Sequence, residues 1–593
     1  MIGRMVLGLL LLTASMSTCA ELGWQPWSDD LFTLAKAERR LVLLDLEAGW
    51  CHWCHVMDQV TYHDPEVVDL LRSHFLVVRV DQDAHPDLAI RYEDYGWPAT
   101  ILFDASGNEL ARRSGYLEPR SMAGMLKAFI EDPTPGPSVT AAAALAPAPP
   151  GPLAPARRAR LQESFLESYD ADQGAWGGVH KYLDASCLEF SLLRAAGGDR
   201  QAQSMAEVSL NAAWALFDPV WGGVYQYSTS GVWTEPHFEK LMSFQADYLR
   251  SYALAYAASG EPRHLLAALM VHRFIGDFLT SPDGAYYTSQ DADLIPGQQS
   301  ARYFALSDRD RRAEGIPRID RHIYARENGW AIEALALLYG VTGSKELLAE
   351  ASRAARWIIE HRSLSGGGFA HGEADDAGPY LGDTVAMARA ELALYTVTAE
   401  RPWLERACGS LDAIAGRFAC AASGGATAAG YLSVAAIPGG LPPTPSRDEN
   451  EAIARTANLV YQYTGKVRYR DMAERAARYL FASGIAEKRP TAGELLVDAE
   501  LGHEPLHLTV VGAKADARAL ALFRAANAYP LVYKRLEWFD RAEGPLPRAD
   551  LELPMSEVPA LYICTASSCS SPVTRPADVR GRIDRALGRQ QAP

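Results

Sequence analysis

Three short, mostly apolar runs set the first part of the chain: Leu41-Val42-Leu43-Leu44-Asp45-Leu46, Phe75-Leu76-Val77-Val78-Arg79-Val80 and Ala99-Thr100-Ile101-Leu102-Phe103. Runs of that length without polar alternation read as strands buried on both faces. Asp104-Ala105-Ser106-Gly107-Asn108 has turn chemistry, so the third strand is expected to return as a hairpin. Helices fit between the strands, a long one after the first, and again after Glu118. Residues 21–132 are thus expected to form one small α/β domain. Eight prolines set among alanines between Pro133 and Pro155 cannot build a core and predict a stiff spacer over 133–157.

From residue 158 the apolar period becomes helical. Glycine-rich, aromatic-flanked loops recur at Gly177, Gly222, Gly284, Gly367 and Gly424-Gly425 to Gly430, and each interval holds two amphipathic stretches, such as Phe244 to Ser259 and Leu265 to Leu279. Stacked helical hairpins with unequal repeats predict an irregular α/α toroid over 158–500, closed by a sixth hairpin of Ala452–Tyr463 with Tyr469–Phe481. Residues 501–593 return to mixed character, with strands at Leu506–Val511 and Ala560–Cys564 and helices at Asp516–Ala525 and Pro576–Leu587, a small α/β module. The expected whole is multidomain.

Composition narrows the function classes. The 593 residues carry 57 Lys and Arg against 73 Asp and Glu, a net charge of −16, which gives no footing for binding driven by nucleic-acid phosphates. Met1 to Ala20 has one basic residue, Arg4, a short apolar core from Val6 to Leu12, and small residues before Ala20. That pattern is expected of an export signal and is too short to span a bilayer; the chain is therefore expected to be exported, to the periplasm, with no membrane-spanning segment in its mature form. Lipid anchoring through Cys19 is the less favoured reading, because Thr18 precedes it. Beyond the signal seven of the eight cysteines remain, an odd number in a compartment that permits disulfides.

Trp50-Cys51-His52-Trp53-Cys54-His55 follows directly on the first strand. A C-x-x-C between strand and helix places Cys51 at a helix N-terminus, where amide groups and the helix dipole stabilise its thiolate. Cys54 lies one turn in, positioned to resolve a mixed disulfide. A protonated His52 would lower the Cys51 pKa further, and Asp45, an acid in an apolar strand, is expected to take the Cys54 proton. Trp50, Trp97 and Pro98 are expected to shape a substrate groove, Pro98 as a cis-proline facing the thiols. Other readings stand beside these. C-x-x-C-H is also a haem c attachment pattern. Zinc would need residues 51, 52, 54 and 55 to converge, although they leave a helix start in different directions. The lesser readings make Asp45 a hydrogen-bonded structural acid and Pro98 the start of an edge strand.

Strand, Asp45, C-x-x-C, helix, strand, Pro98 and hairpin occur in the order of a thioredoxin-like fold. Cys51 to Met57, Val80-Asp81-Gln82-Asp83-Ala84-His85-Pro86-Asp87 and Gly96-Trp97-Pro98, with Trp233 to Met242, Ser289-Gln290-Asp291-Ala292-Asp293 and the segment from Cys564 to Pro572, resemble the spermatogenesis-associated protein 20-like family. The resemblance implies a thioredoxin-like domain joined to a six-hairpin glycosidase-like α/α barrel. Glu327-Asn328-Gly329-Trp330 stands where that family usually has Trp-Asn-Gly.

A toroid offers a central cleft, and Trp233, Glu235, His237, Glu239, Asp291 and Asp293 are the candidates to line it, with Pro236 in the first turn of a helix. Paired carboxylates among Trp176, Trp221 and Tyr225 suit sugar stacking and acid–base chemistry; the plainer alternative is capping and turn formation. Cys564 and Cys569 suit a local disulfide, and Cys187, Cys408 and Cys420 buried packing. The leading expectation is a thiol–disulfide oxidoreductase acting on protein thiols or a redox partner, with no cofactor beyond a Cys51–Cys54 disulfide and no metal, and with the barrel holding a client or ligand. The alternative is a carbohydrate-active enzyme, a glycoside hydrolase or sugar epimerase, with an accessory thioredoxin-like domain.

Overall fold

The computed structural model describes residues 22–28, 30–93, 96–139, 146–373, 378–420, 429–435, 441–485, 492–550, 558–565 and 568–589. The expected export signal with Cys19, and the Gly424-Gly425 loop, lie outside them.

The first domain is a four-stranded sheet in the order β2-β1-β3-β4: β1 (Leu41–Glu47), β2 (Phe75–Asp81), β3 (Ala99–Phe103) and β4 (Glu109–Ser114). β2 runs parallel to β1, whereas β3 is antiparallel to both β1 and β4. The short apolar runs have a simple cause. Leu43, Val77 and Leu102 pack on one face under α2 (His52–Val60), α3 (Pro65–His74) and α5 (Pro119–Glu131). Val42, Leu44 and Leu46 pack on the other under α1 (Leu31–Glu38) and α4 (Pro86–Tyr92). Alternate residues serve opposite faces, and both faces are covered. Asp104 Oδ1 closes the β3–β4 turn by accepting the amides of Ser106 and Asn108. The long helix expected after the dithiol is split in two. Asp64 caps α3 by accepting from the amides of Glu66 and Val67, and Pro65 at the first helical position fits only a new start.

The helical region is a closed ring. α7 (Ala185–Ala196), α9 (Met242–Ser259), α13 (Ala325–Thr342), α15 (Leu381–Thr398), α17 (Arg447–Thr464) and α19 (Gly493–Gly502) form the inner wall, each packed on the next, with α19 returning to α7. Their outer partners are α8 (Arg200–Ala212), α10 (Pro262–Phe278), α14 (Lys345–Arg362), α16 (Arg401–Arg417) and α18 (Val467–Leu480), while α6 (Pro155–Glu167) backs α19. The short helices α11 (Ala301–Phe304) and α12 (Asp308–Glu314) belong to one loop. Six hairpins result, but the expected closing pair, α17 with α18, is the fifth. The sixth joins the first and last helices of the region, a pairing that no local sequence pattern announces. Inner helices touch neighbours on all sides, so α15 is buried almost all round, Asp383, Thr384 and Glu391 included. A Cβ on Gly329 would lie 2.6 Å from the Ala386 carbonyl carbon, so glycine lets α13 and α15 approach.

The glycine–aromatic loops are clamped by amide side chains on the inner helices. Gln245 pairs with both backbone groups of Val224, Asn328 with those of Tyr286, and Asn450 with those of Tyr431, at 2.7–3.0 Å. Loop segments also pair as two-residue strands: β5 (Tyr169–Asp170) with β6 (Ala175–Trp176), and β7 (Tyr227–Ser228) with β8 (Pro236–His237). β9 (Lys240–Leu241), β10 (Ser289–Gln290) and β11 (Ile319–Asp320) form a three-stranded sheet at the ring's mouth.

The C-terminal module has β12 (Leu506–Val511), α20 (Ala517–Asn527), β13 (Lys534–Phe539), β14 (Ala560–Thr565), β15 (Ser568–Cys569) and α21 (Val579–Ala586). Its order, β13-β12-β14-β15, and its strand directions repeat those of β2-β1-β3-β4. Pro559 precedes β14 as Pro98 precedes β3, but Gly512-Ala513-Lys514 follows β12 where the first domain has its cysteines. A disulfide joins Cys564 to Cys569, while Cys187, Cys408 and Cys420 are buried free thiols. No helix among the described residues is long and apolar enough to cross a membrane.

Candidate functional site

Cys51 ends the β1 loop as the N-cap of α2, its sulfur accepting the Cys54 amide at 3.1 Å, and the two cysteines are joined as a disulfide. Trp50 fixes the approach. Its indole N–H donates to Asp83 Oδ2 at 2.7 Å, and the ring packs with Ala48 and both cysteines. The Trp97–Pro98 peptide is cis and Trp97 lies against the same cluster. Asp45 is 2% exposed beneath the sheet surface; burial raises its pKa while the Arg79 guanidinium, 3.0 Å away, opposes the rise. Arg79 also holds Asp58, so Asp45 belongs to an ion-paired group as well as to the strand below the dithiol.

The dithiol is roofed by the toroid. Cys51 is only 4% exposed and Cys54 2%, so both are buried in the closed arrangement. Leu241 packs on the cysteine cluster. The Ala292 amide donates to the Trp50 carbonyl at 3.3 Å, the Gln59 side chain to the Pro296 carbonyl at 2.8 Å, and Arg318 to the Gly49 carbonyl. His371, held at Nδ1 by Asp383, donates from Nε2 to the Asp83 carbonyl at 2.6 Å. Asp83 thus joins Trp50 on one side to a toroid loop on the other.

Both histidines of the motif turn to the same loop. His52 Nδ1 lies 2.9 Å from each Asp293 carboxylate oxygen, and His55 Nδ1 lies 3.2 Å from Asp293 Oδ2. His55 Nε2 is 3.7 Å from Asp291. Glu239 is buried with Oε1 3.5 Å from the His52 amide, at the N-terminus of α2, and its Oε2 has no hydrogen-bond partner. Burial drives the electrostatics here. It raises Glu239 to about 7 and Asp291 to about 6, and lowers His237 to about 4. For Asp293 burial is outweighed by the hydrogen bonds from His52 and His55, which hold its carboxyl below the ordinary range. For His55 burial is outweighed by Asp293 and Asp291, and its pKa rises.

Glu239, Asp291 and Asp293 therefore meet, around the redox helix. They are brought there by the ends of β9 and β10, which are hydrogen-bonded neighbours. The expected helix start at Pro236 is replaced by β8, because Pro236 and His237 pair with Ser228 and Tyr227, and α9 opens only at Met242. Glu235 is exposed, and Trp233 donates to the Gln173 carbonyl at 2.7 Å. Trp176 stacks on Phe165 and Trp221 donates to Asp308, so these loop tryptophans serve packing. Next to the dithiol cluster lies a separate cavity of about 250 Å³ between the domains, walled by Trp50 and Trp97 on one side and by Gln226, Arg326, Glu327 and Trp330 on the other. Reading by sequence missed Asp83, His371, Gln226 and Arg326. Asp83 alone had a signal, within the Val80–Asp87 motif.

The family described as "Thioredox_DsbH: Protein of unknown function, DUF255" matches residues 14–130, the domain that carries the disulfide. Spermatogenesis-associated protein 20 of Mus musculus is 23% identical over 433 residues, 64% of this chain and 50% of the mouse protein. The chain resembles the spermatogenesis-associated protein 20 proteins. It spans about half the length of that relative. Thiol:disulfide interchange protein DsbD of Yersinia pestis (strain Pestoides F) is 32% identical over 90 residues, 14% of this chain and 15% of DsbD. Among solved structures, cellobiose 2-epimerase from Bacillus thermoamylovorans B4167 superposes with a TM-score of 0.43 at 12% identity, over 55% of this chain and 86% of the epimerase.

Proposed function

We propose that this chain is an exported thiol–disulfide oxidoreductase whose toroid governs access to the dithiol. The observation that carries the reading is the Cys51–Cys54 disulfide at the start of α2, with Cys51 as N-cap and Trp97-Pro98 alongside. In the reducing direction the Cys51 thiolate attacks a substrate disulfide, forming a mixed disulfide and releasing one substrate thiolate. Cys54, once deprotonated, attacks the Cys51 sulfur, releasing the second thiolate and restoring the disulfide; two electrons pass to the substrate. Oxidation runs these steps backwards. Because the roof buries Cys51, a protein substrate reaches it only when the domains part. The test is trapping. Cys54→Ala should accumulate mixed disulfides on non-reducing gels and Cys51→Ala should not. No adducts in either variant, together with insulin reduction at the buffer rate, would sink the reading.

A second reading is supported by the interdomain cavity: three tryptophans with Arg326 and Glu327 suit a small carbohydrate, and Glu327 Oε2 is buried without a hydrogen-bond partner. Epimerisation or reducing-sugar release retained in Cys51→Ser, and lost in Glu327→Gln, would favour it.

A further inference from the structure

We infer that His52, His55, Asp291 and Asp293 form a binding site for one divalent transition-metal ion of the zinc class, built half from the redox helix and half from the toroid. Taken alone, the C-x-x-C-H segment argues against a metal, since its side chains diverge from a helix start. The toroid changes that. His52 Nδ1 and His55 Nδ1 come within 2.9 and 3.2 Å of the Asp293 carboxylate, and one ligand atom each of His55, Asp291 and Asp293 lies within 4.8 Å of the others. Ligand atoms sharing a tetrahedral zinc sit roughly 3.3 Å apart at the usual ~2.0 Å bond lengths, so His55, Asp291 and Asp293 form the core of the site, and His52 joins it through its contact with Asp293. Two imidazoles with two carboxylates are a nitrogen–oxygen set suited to zinc, cobalt or nickel rather than calcium or magnesium.

A second observation points the same way. Glu239 is 3% exposed, beside this cluster, and its Oε2 has no hydrogen-bond partner. The nearest base to that oxygen, His237 Nδ1, stays at 3.9 Å, outside hydrogen-bond reach, so a third acid faces the cluster with its own oxygen unsatisfied, which a cation there would relieve. The carboxylates are already oriented: Asp293 Oδ2 accepts the Gly297 amide and Asp291 Oδ1 the Asp293 amide, both at 2.8 Å, as supporting contacts for metal ligands commonly do. The site does not use the cysteines, so it stands or falls separately from the thiol chemistry.

The experiment uses the full chain with its disulfide intact, stripped with a chelator and titrated with Zn²⁺ by calorimetry and with Co²⁺ by absorption. Expected are one ion per chain and a cobalt visible band without sulfur charge transfer. The Cys51→Ser/Cys54→Ser double variant should bind equally well, whereas Asp293→Asn and His55→Gln should each weaken binding at least about tenfold. Circular dichroism and melting of the ion-free variants separate loss of ligand from loss of fold; if either variant unfolds, Asp291→Asn is read in its place. Binding that needs reduced thiols, that survives Asp293→Asn unchanged, or that is absent at 100-fold excess Zn²⁺ would overturn the inference, leaving the four side chains as a hydrogen-bonded latch.

Discussion

Glu189 on α7 lies between the guanidinium groups of Arg250 and Arg455 inside the ring wall. Burial alone would raise its carboxyl; the two arginines outweigh that and hold it at about 2, against an ordinary 4.5. A depressed carboxyl contributes its stability fully above the unfolded value and loses it as the pH falls through the folded one. Acid should therefore weaken the ring between about pH 4.5 and 2. In Glu189→Gln that part of the melting-temperature profile should flatten. The same change should lower stability at neutral pH by on the order of 1–3 kcal/mol, because each arginine loses one charged partner while Arg455 keeps Glu500 and Arg250 keeps Glu333. Differential scanning calorimetry across that pH range checks both outcomes.

Single elements carry their own signatures. Removing the Asn328 side chain leaves the Tyr286 amide and carbonyl unpaired inside the protein, at about 1–3 kcal/mol for each orphaned group. Asn328→Ala should lower the melting temperature, and Asn328→Asp should do so too, because its carboxylate faces the Tyr286 and Tyr324 carbonyls without a donor. Gly329→Val should do similar damage by forcing α13 away from α15, since its side chain would meet the Ala386 backbone. The element scale also shows what sequence could and could not disclose. β1, β2 and β3 were legible because both of their faces are buried in apolar residues. β13 was not, because its Lys534, Arg535 and Glu537 look like a surface segment. In the fold Lys534 Nζ is capped by the Asn527 and Tyr529 carbonyls, and Arg535 pairs with Asp550. The hairpins of the ring were legible from periodicity; their pairing order was not, since α6 meets α19 only through tertiary packing.

At the scale of the molecule, the dithiol and the acid loop are one site assembled from segments about 240 residues apart. Each motif was visible in the sequence, but their meeting depends on how the first domain sits on the ring, which neither motif encodes. Closure has a kinetic consequence. A small phosphine should reduce Cys51–Cys54 faster than a protein-sized dithiol reductant does, because only the latter needs the domains to part. Arg318→Ala with Gln59→Ala removes two bridges to the roof and should raise the protein-reductant rate severalfold while leaving the phosphine rate nearly unchanged. Equal rates for both reductants in the unaltered chain would mean that the roof is open in solution. Stopped-flow measurement of disulfide reduction distinguishes the cases.

The hairpin that completes the ring takes one helix from residues 155–167 and the other from 493–502. A chain that emerges N-terminus first therefore finishes its first domain long before it has any ring to set against it. At ~5–20 residues per second, residue 293 follows residue 131 by roughly 8–30 s, and the last inner helix comes later still. Throughout that interval α2 is bare. Its thiols are open to the surrounding redox pool, its histidines have no acids to meet, and Cys51 is as approachable as in any free-standing domain of its kind. Completion of the ring is thus what buries Cys51 and Cys54, and the unfinished chain leaves them more open than the finished one.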